Sequence, residues 1–327
     1  MTKHLYVHIP FCKKICPYCD FKKTIYNSDL ANKYIDLVCK KISKDYKNNR
    51  FFTIYVGGGT PNCISDVQIN KLLNCLSKHL TNKHEFTVEI NPELLTKKQA
   101  QIFLTNNVNR VSIGIQTLNM NLLKLIGRFS YKNIVRKTIQ ILLDNKIQNI
   151  SCDLIYGFHK QSNKNIKDDI DFLIKNNVKH LSIYSLEIKQ NTLWGKQHYL
   201  VNELAIENNL KFIIGYLKKQ HFFRYEVSNW TISDIYQSKH NIGIWKTHDW
   251  AAIGYGAHGM ENNYLYHYDG NILNWQIIKK RLTKRDFFYQ ILMMGLRLAD
   301  GIDLRIKNNF LAYQYFKKIL IVQIWLK

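Results

Sequence analysis

Six short apolar runs alternate with longer helical segments through the first 190 residues, and this alternation limits the fold more than any other feature. The runs cover 5–9, 52–56, 86–90, 111–115, 150–155 and 180–186. Helical spacing fills 28–46, 65–80, 97–105, 133–144 and 166–174 between them. Ser28 or Asp29, Ser65 and Thr96 stand where N-caps are expected, because their side-chain oxygens can accept a free N–H of the first turn. Short strands followed by helices build βαβ units with parallel strands. Tyr6, His8, the 57–60 stretch, Glu89, Asn91, Gln116, Asp153 and Glu187 lie in or just after successive runs. Polar residues so placed mark the active face of a barrel, whereas a doubly wound sheet gathers them at one crossover. The expected fold is therefore α/β, a partial (β/α)6 TIM-like barrel over residues 1–190. A helix over 201–217, with Leu210, Ile213, Ile214 and Leu217 on one face, opens an extension to residue 274. Residues 275–327 hold eleven Lys or Arg against three Asp or Glu and are expected to form a small, mainly helical domain.

The first run leads directly into FCKKICPYCDF, where Cys12, Cys16 and Cys19 have the spacing C-x3-C-x2-C. Three thiolates can hold three irons of a [4Fe–4S] cluster and leave the fourth iron open to a substrate or cofactor. Zinc would want a fourth ligand close by, and His8 is the nearest candidate. Cys39, Cys63, Cys75 and Cys152 are scattered and read as small core or half-buried side chains, not as a disulfide framework. The start MTKHLYVHIP lacks the form of a signal peptide, and no apolar run reaches the ~20 residues that span a bilayer. The expected location is cytoplasmic. The formal net charge of +23 would suit nucleic acid or an anionic membrane surface. The lysines are spread through most segments, however, as an AT-biased genome would place them. Nucleic acid is not expected as the main partner, and peripheral membrane contact stays open.

Further motifs follow the strand runs. In YVGGGTPN (55–62), Gly57, Gly58 and Gly59 either make a tight turn or expose backbone N–H groups as an anion nest. The G-K-[ST] of a phosphate loop is missing, so the nest would suit a carboxylate. Glu89 in VEINPE is a carboxylate in a β-rich run and should meet a cation, several donors or solvent. Gln116, Arg128 and Asp153 could together grip a carboxylate, ribose or amino group, the guanidinium supplying a planar fork. KHNIGIW (239–245) and YGAHG (255–259) place histidines beside aromatics. That setting suits haem ligation, and His240-Asn241 equally suits a structural polar network.

These motifs resemble the radical S-adenosylmethionine superfamily, and within it the oxygen-independent coproporphyrinogen oxidase-like branch that includes haem chaperones. The resemblance covers nearly the whole chain. It implies that Cys12, Cys16 and Cys19 hold a [4Fe–4S] cluster whose open iron is chelated by S-adenosylmethionine. It places Tyr6, Gly58 and Glu89 at a first S-adenosylmethionine and Tyr18 near an adenine. Gly59, Thr60, Gln116, Arg128 and Asp153 match residues assigned to a second. The family's His-Asn-x-x-Tyr-Trp motif implies haem at His240; this chain keeps His240, Asn241 and Trp245 but has Ile244 for the tyrosine.

Other departures bear on function. The family's Leu-Gly-Arg is Ile126-Gly127-Arg128, and its Gly-Pro-Gly-Gln is Phe158-His159-Lys160-Gln161. A true coproporphyrinogen dehydrogenase carries one more cysteine two positions after the third ligand, where this chain has Phe21, and a longer stretch before the first strand. Both differences point to the chaperone members, which imply haem, a haem-accepting protein and a reductant for the cluster as partners. Coproporphyrinogen III dehydrogenation and radical modification of RNA are the alternatives. The end KKILIVQIWLK does not follow the family pattern, and the C-terminal domain reads as truncated by roughly forty residues.

Overall fold

The computed structural model describes residues 2–324, with side chains as far as Lys317. Six parallel strands form the expected partial barrel: β1 (His4–Ile9), β2 (Phe51–Gly58), β3 (Leu80–Ile90), β4 (Arg110–Gln116), β5 (Asn149–Tyr156) and β6 (His180–Ser185). The intervening helices are α1 (Ser28–Asp45), α2 (Asp66–Ser77), α3 (Lys97–Thr105), α4 (Met120–Ile126), α5 (Lys132–Asp144) and α6 (Asn163–Lys175). Ser65 and Thr96 cap α2 and α3 as expected, and Gln68 completes a capping box with Ser65. The cap of α1 is Asn27, not Ser28 or Asp29; its side chain accepts from the Leu30 N–H.

Alternation along each strand separates the two faces of the sheet. Leu5, Val7 and Ile9 of β1, with Ile54, Val56, Phe86 and Val88 of its neighbours, are wholly or almost wholly buried against the helices. Each such side chain contributes about 1.5–3 kcal/mol relative to leaving it in water. The opposite face is polar. Register sets His4 beside Thr53 and Thr53 beside Glu85, then Thr87 beside Arg110 and Ser112 beside Ser151. Tyr6, Tyr55, Glu89 and Asp153 lie further along the same face and are only half-buried. The lumen thus has a sealed polar floor and an open polar mouth.

The extension adds strands to both edges. Helix α7 (Glu203–Lys219) leads to β7 (Phe223–Glu226) and β8 (Asn229–Thr231), the latter antiparallel to β6. On α7 the buried side chains are Asn209, Ile213 and Leu217, while Ile214 is turned outward. After α8 (Lys239–Trp245), β9 (Trp250–Ile253) crosses back and pairs parallel to β1. A meander of β10 (His258–Glu261), β11 (Tyr264–Asn271) and β12 (Asn274–Arg281) completes a twelve-stranded sheet.

The boundary expected at residue 275 therefore falls inside a hairpin. Seven of the eight residues of β12 are exposed, so no period-two burial signal was there to read. The helical part begins after Arg281, with α9 (Lys284–Gly295) and α10 (Lys307–Ile324) packed through Phe288, Ile291, Leu292, Ala312 and Phe316. The side chains of KKILIVQIWLK beyond Lys317 lie outside the described residues. Among the described residues no helix is long and apolar enough to cross a membrane.

Candidate cluster and cofactor site

The cysteine loop leaves the end of β1 and is closed at its base by backbone bonds. Thr24 N–H donates to Pro10 O at 2.7 Å and Tyr26 N–H to Cys12 O at 2.9 Å. Phe11 anchors the loop, fully buried and edge-on to Tyr34. Cys12 is 6% exposed, and Cys16 and Cys19 are half-buried. The Thr60 hydroxyl donates to Cys12 Sγ at 3.7 Å. Burial pushes the Cys12 and Cys19 thiols up, and Lys23 opposes this at both. Among the described residues no three His, Cys, Asp or Glu side chains converge as on a single metal ion. A cluster makes no such demand, since each thiolate binds its own iron. Tyr18 leans on Phe158 and Trp194, and Trp194 N–H donates to Pro17 O at 3.0 Å. The loop is thereby tied to the far side of the barrel mouth.

The glycine run is built for close approach, not for an anion nest. Gly58 N–H donates to Glu89 Oε2 at 3.1 Å, Gly59 N–H to Ile9 O at 2.9 Å and Thr60 N–H to Phe11 O at 2.8 Å. These N–H groups are spent inside the protein, which corrects the nest expected from the sequence. A Cβ at Gly59 would stand 2.8 Å from Cys12 Sγ and 2.7 Å from Phe11 O. At Gly58, where φ is +115°, it would enter the His8 ring. The glycines let β2 lie directly under the cysteine loop.

Glu89 meets donors, as its burial requires. Tyr55 Oη donates to Oε1 at 2.7 Å, opposite the Gly58 N–H on Oε2. Burial raises its carboxyl to about 7, with Tyr55 and Gly58 pulling the other way. Tyr6 stands beside Tyr55 in register, and its hydroxyl bonds His8 Nδ1 at 3.0 Å. The other imidazole nitrogen of His8 bonds Lys22 O at 2.8 Å.

Gln116 and Arg128 converge at Gly114, on the strand beside Asp153. Arg128 Nη2 donates to Gly114 O, and a Cβ at Gly114 would lie 3.1 Å from Gln116 Nε2 and 3.5 Å from Arg128 Nη2. Asp153 pairs with Gly114 in register and accepts from Ser112 Oγ at 3.0 Å. Buried polar atoms around this point lack partners: Gln116 Oε1, Arg128 Nε and Glu93 Oε2. Native interiors rarely leave such atoms orphaned, so a polar ligand fits here. Gln116 has φ +65°, at the break in register between Gly114, which pairs with Asp153, and Gln116, which pairs with Leu154. A non-glycine residue in that region costs of order 1–3 kcal/mol, a strain typical of sites that must aim a side chain. Gln116→Gly is expected to leave stability unchanged or about 0.5–1 kcal/mol higher, which urea melts on matched preparations check.

His240 lies elsewhere. It is 3% exposed, with Nδ1 2.8 Å from Thr53 Oγ1 and its ring tilted against Tyr55 at 5.1 Å. Its backbone N–H and that of Lys239 both donate to the Glu85 carboxylate at 3.0 Å. Burial lowers the imidazole to about 3, so it is neutral. His240 thus lies in a polar network under the barrel floor, with its Nε2 left without a partner among the described residues. Ile244 packs among Trp250, Met260 and Leu282.

A three-cysteine loop thus stands over the open end of a polar-lined partial barrel. Residues 6–173 match the Radical SAM superfamily. The chain belongs to that superfamily. Radical SAM proteins use a [4Fe–4S] cluster with S-adenosylmethionine. The chain is 31% identical to the Heme chaperone HemW of Lactococcus lactis subsp. lactis (strain IL1403), over 93% of this chain and 84% of that one. It is 35% identical to the Heme chaperone HemW of Buchnera aphidicola subsp. Schizaphis graminum (strain Sg), over 78% and 69%. The fold is that of coproporphyrinogen III oxidase from Escherichia coli, with TM-score 0.79 and 18% identity over 91% of this chain and 76% of that one.

Within the radical SAM barrel, several site residues escaped sequence reasoning. Tyr55 holds Glu89, Ser112 holds Asp153, and Glu85 with Arg110 builds the floor. Their signal was present as polar residues at alternate positions in strands: Thr53 and Tyr55 in β2, Glu85, Thr87 and Glu89 in β3. Trp194, which braces Tyr18, lay in a segment without periodicity.

Proposed function

We propose that this chain is a haem chaperone-like radical SAM protein that holds a [4Fe–4S] cluster through Cys12, Cys16 and Cys19. S-adenosylmethionine would lie over the luminal face, and haem would be carried for transfer to an acceptor protein. The observation that carries the reading is the set of orphaned polar atoms at Gln116, Arg128 and Glu93 below a cysteine loop that Gly59 lets approach β2. When bound, the cluster and S-adenosylmethionine supply one-electron chemistry at the sulfonium. The protein's part is orientation. Glu89, fixed by Tyr55 and Gly58, offers an anionic acceptor to an amino group or ribose. Arg128 offers a fork to a carboxylate. Tyr6 and Tyr18 wall the first ligand, Gly58 lies under it, and Gly59, Thr60, Gln116, Arg128 and Asp153 are assigned to a second. Phe21, in place of a further cysteine, favours the chaperone role over coproporphyrinogen dehydrogenation. A cytoplasmic location and an external reductant complete the proposal.

Anaerobic reconstitution with iron and sulfide tests it. About four irons per chain, saturable S-adenosylmethionine binding and saturable haem binding are expected, with no turnover of coproporphyrinogen III. Failure to take up iron sinks the cluster assignment. Turnover of coproporphyrinogen III sinks the chaperone role.

A further inference from the structure

His240 is buried under the barrel floor with its Nε2 unpartnered among the described residues, so haem held at the surface would take a more accessible imidazole. His4, His8, His79 and His180 are buried as well. His258 on β10 and His267 on β11 differ from these. They are direct cross-strand neighbours with rings stacked at 5.2 Å and 18°. Among the described residues neither ring makes a hydrogen bond, and His258 is exposed. Each of these accessible rings can offer a nitrogen lone pair to a metal.

Their position in the sheet sharpens the point. Tyr6 pairs with Ala252 and Trp250 with Met260, so alternation puts His258 and His267 on the same face as Tyr6. Lys22 of the cysteine loop ion-pairs with Asp269 at 3.1 Å, two residues from His267 on that face. His258 is also among the groups whose charge acts on His8. The pair therefore sits on the rim beside the cluster loop. Ile278, opposite His267, is 51% exposed, and Lys280 follows on the same face. An imidazole for the iron, an apolar side chain for the ring and a cation for propionates, here Lys280 paired with Asp286 at 3.6 Å, are what a haem-accepting surface needs.

We propose that His258 is the axial ligand for haem on this shelf, with His267 stacked behind it as a positioning residue; this rests on the haem-carrying reading above. Coordination replaces water on the ferric iron by His258 nitrogen, with no electron transferred. Titration of the full-length, reconstituted protein with hemin tests it. The wild type is expected to give an imidazole-ligated Soret band. His258→Ala should lose that band, weaken binding by at least about tenfold, and regain the ligated spectrum on adding free imidazole. Iron–sulfur content and the thermal melt should match the wild type, since the residue is exposed. His267→Ala should keep the band and shift its affinity. A wild-type band and affinity in the His258→Ala, His267→Ala double variant overturn the assignment alone. Absence of saturable hemin binding by the wild type overturns the haem-carrying reading, and this assignment with it.

Discussion

Alanine at Cys12, Cys16 or Cys19 is expected to reduce reconstituted iron from about four per chain to less than one, whereas Cys75→Ala keeps the full complement. On the proposed assignment each loop thiolate holds one iron, and a cluster left with two cysteine ligands would not be retained. Cys63 is close enough for Cys12 to act on its thiol, but it is 5% exposed and packs in the main hydrophobic core. Cys39 and Cys75 sit between α1 and α2, outside the loop. The apo fold should survive, because the loop is closed by backbone bonds at Thr24 and Tyr26 and anchored by Phe11. Losing a small buried thiol costs about 1 kcal/mol. Gly59→Ala should act on the same readout by another route. Its Cβ would press on Cys12 Sγ and on the Phe11 carbonyl, neither of which can yield without moving the loop. Iron and sulfide assays on matched preparations give the result. If Cys75→Ala loses iron as fully as the loop variants, the cluster is not where the loop puts it.

The strands were legible because each needs one apolar face against a helix, and residues such as Leu5, Val7 and Ile9 announce it. The helices of the barrel were legible from periodicity and caps, as at Ser65 and Thr96. The cysteine loop was legible because its spacing is local. What failed depends on contacts between distant segments. The Gly58 and Gly59 N–H groups looked free in sequence, yet Glu89 and Ile9 take them. His240 was read next to aromatics that follow it, whereas its partners are Thr53, Tyr55 and Glu85, from 155 to 187 positions earlier. Strand β12 escaped because seven of its eight residues are exposed, leaving no burial to pattern it.

Glu85→Ala is expected to destabilise the protein by about 3–5 kcal/mol, the largest loss from any single charge substitution away from the cluster. Glu85 is 3% exposed and binds both N–H groups that open α8. It also faces Arg110, 2% exposed, whose ionisation burial opposes and Glu85, Tyr225 and Tyr55 restore. Removing the carboxylate strands a buried guanidinium and frees the helix N-terminus at once. Charge-assisted bonds of this kind are about twice as strong as neutral ones. The melting temperature should fall by on the order of 10 °C. Glu85→Gln keeps one acceptor and should fall between. Pairing Glu85→Leu with Arg110→Met should recover part of the loss, because Glu85 favours the Arg110 charge and removing both leaves neither buried charge uncompensated. The cysteine loop lies at the opposite end of the strands, so iron uptake in the surviving folded fraction should match the wild type. A Glu85→Ala melt that coincides with the wild type would mean that α8 docks through its apolar contacts alone, with His240 and Glu85 as passengers.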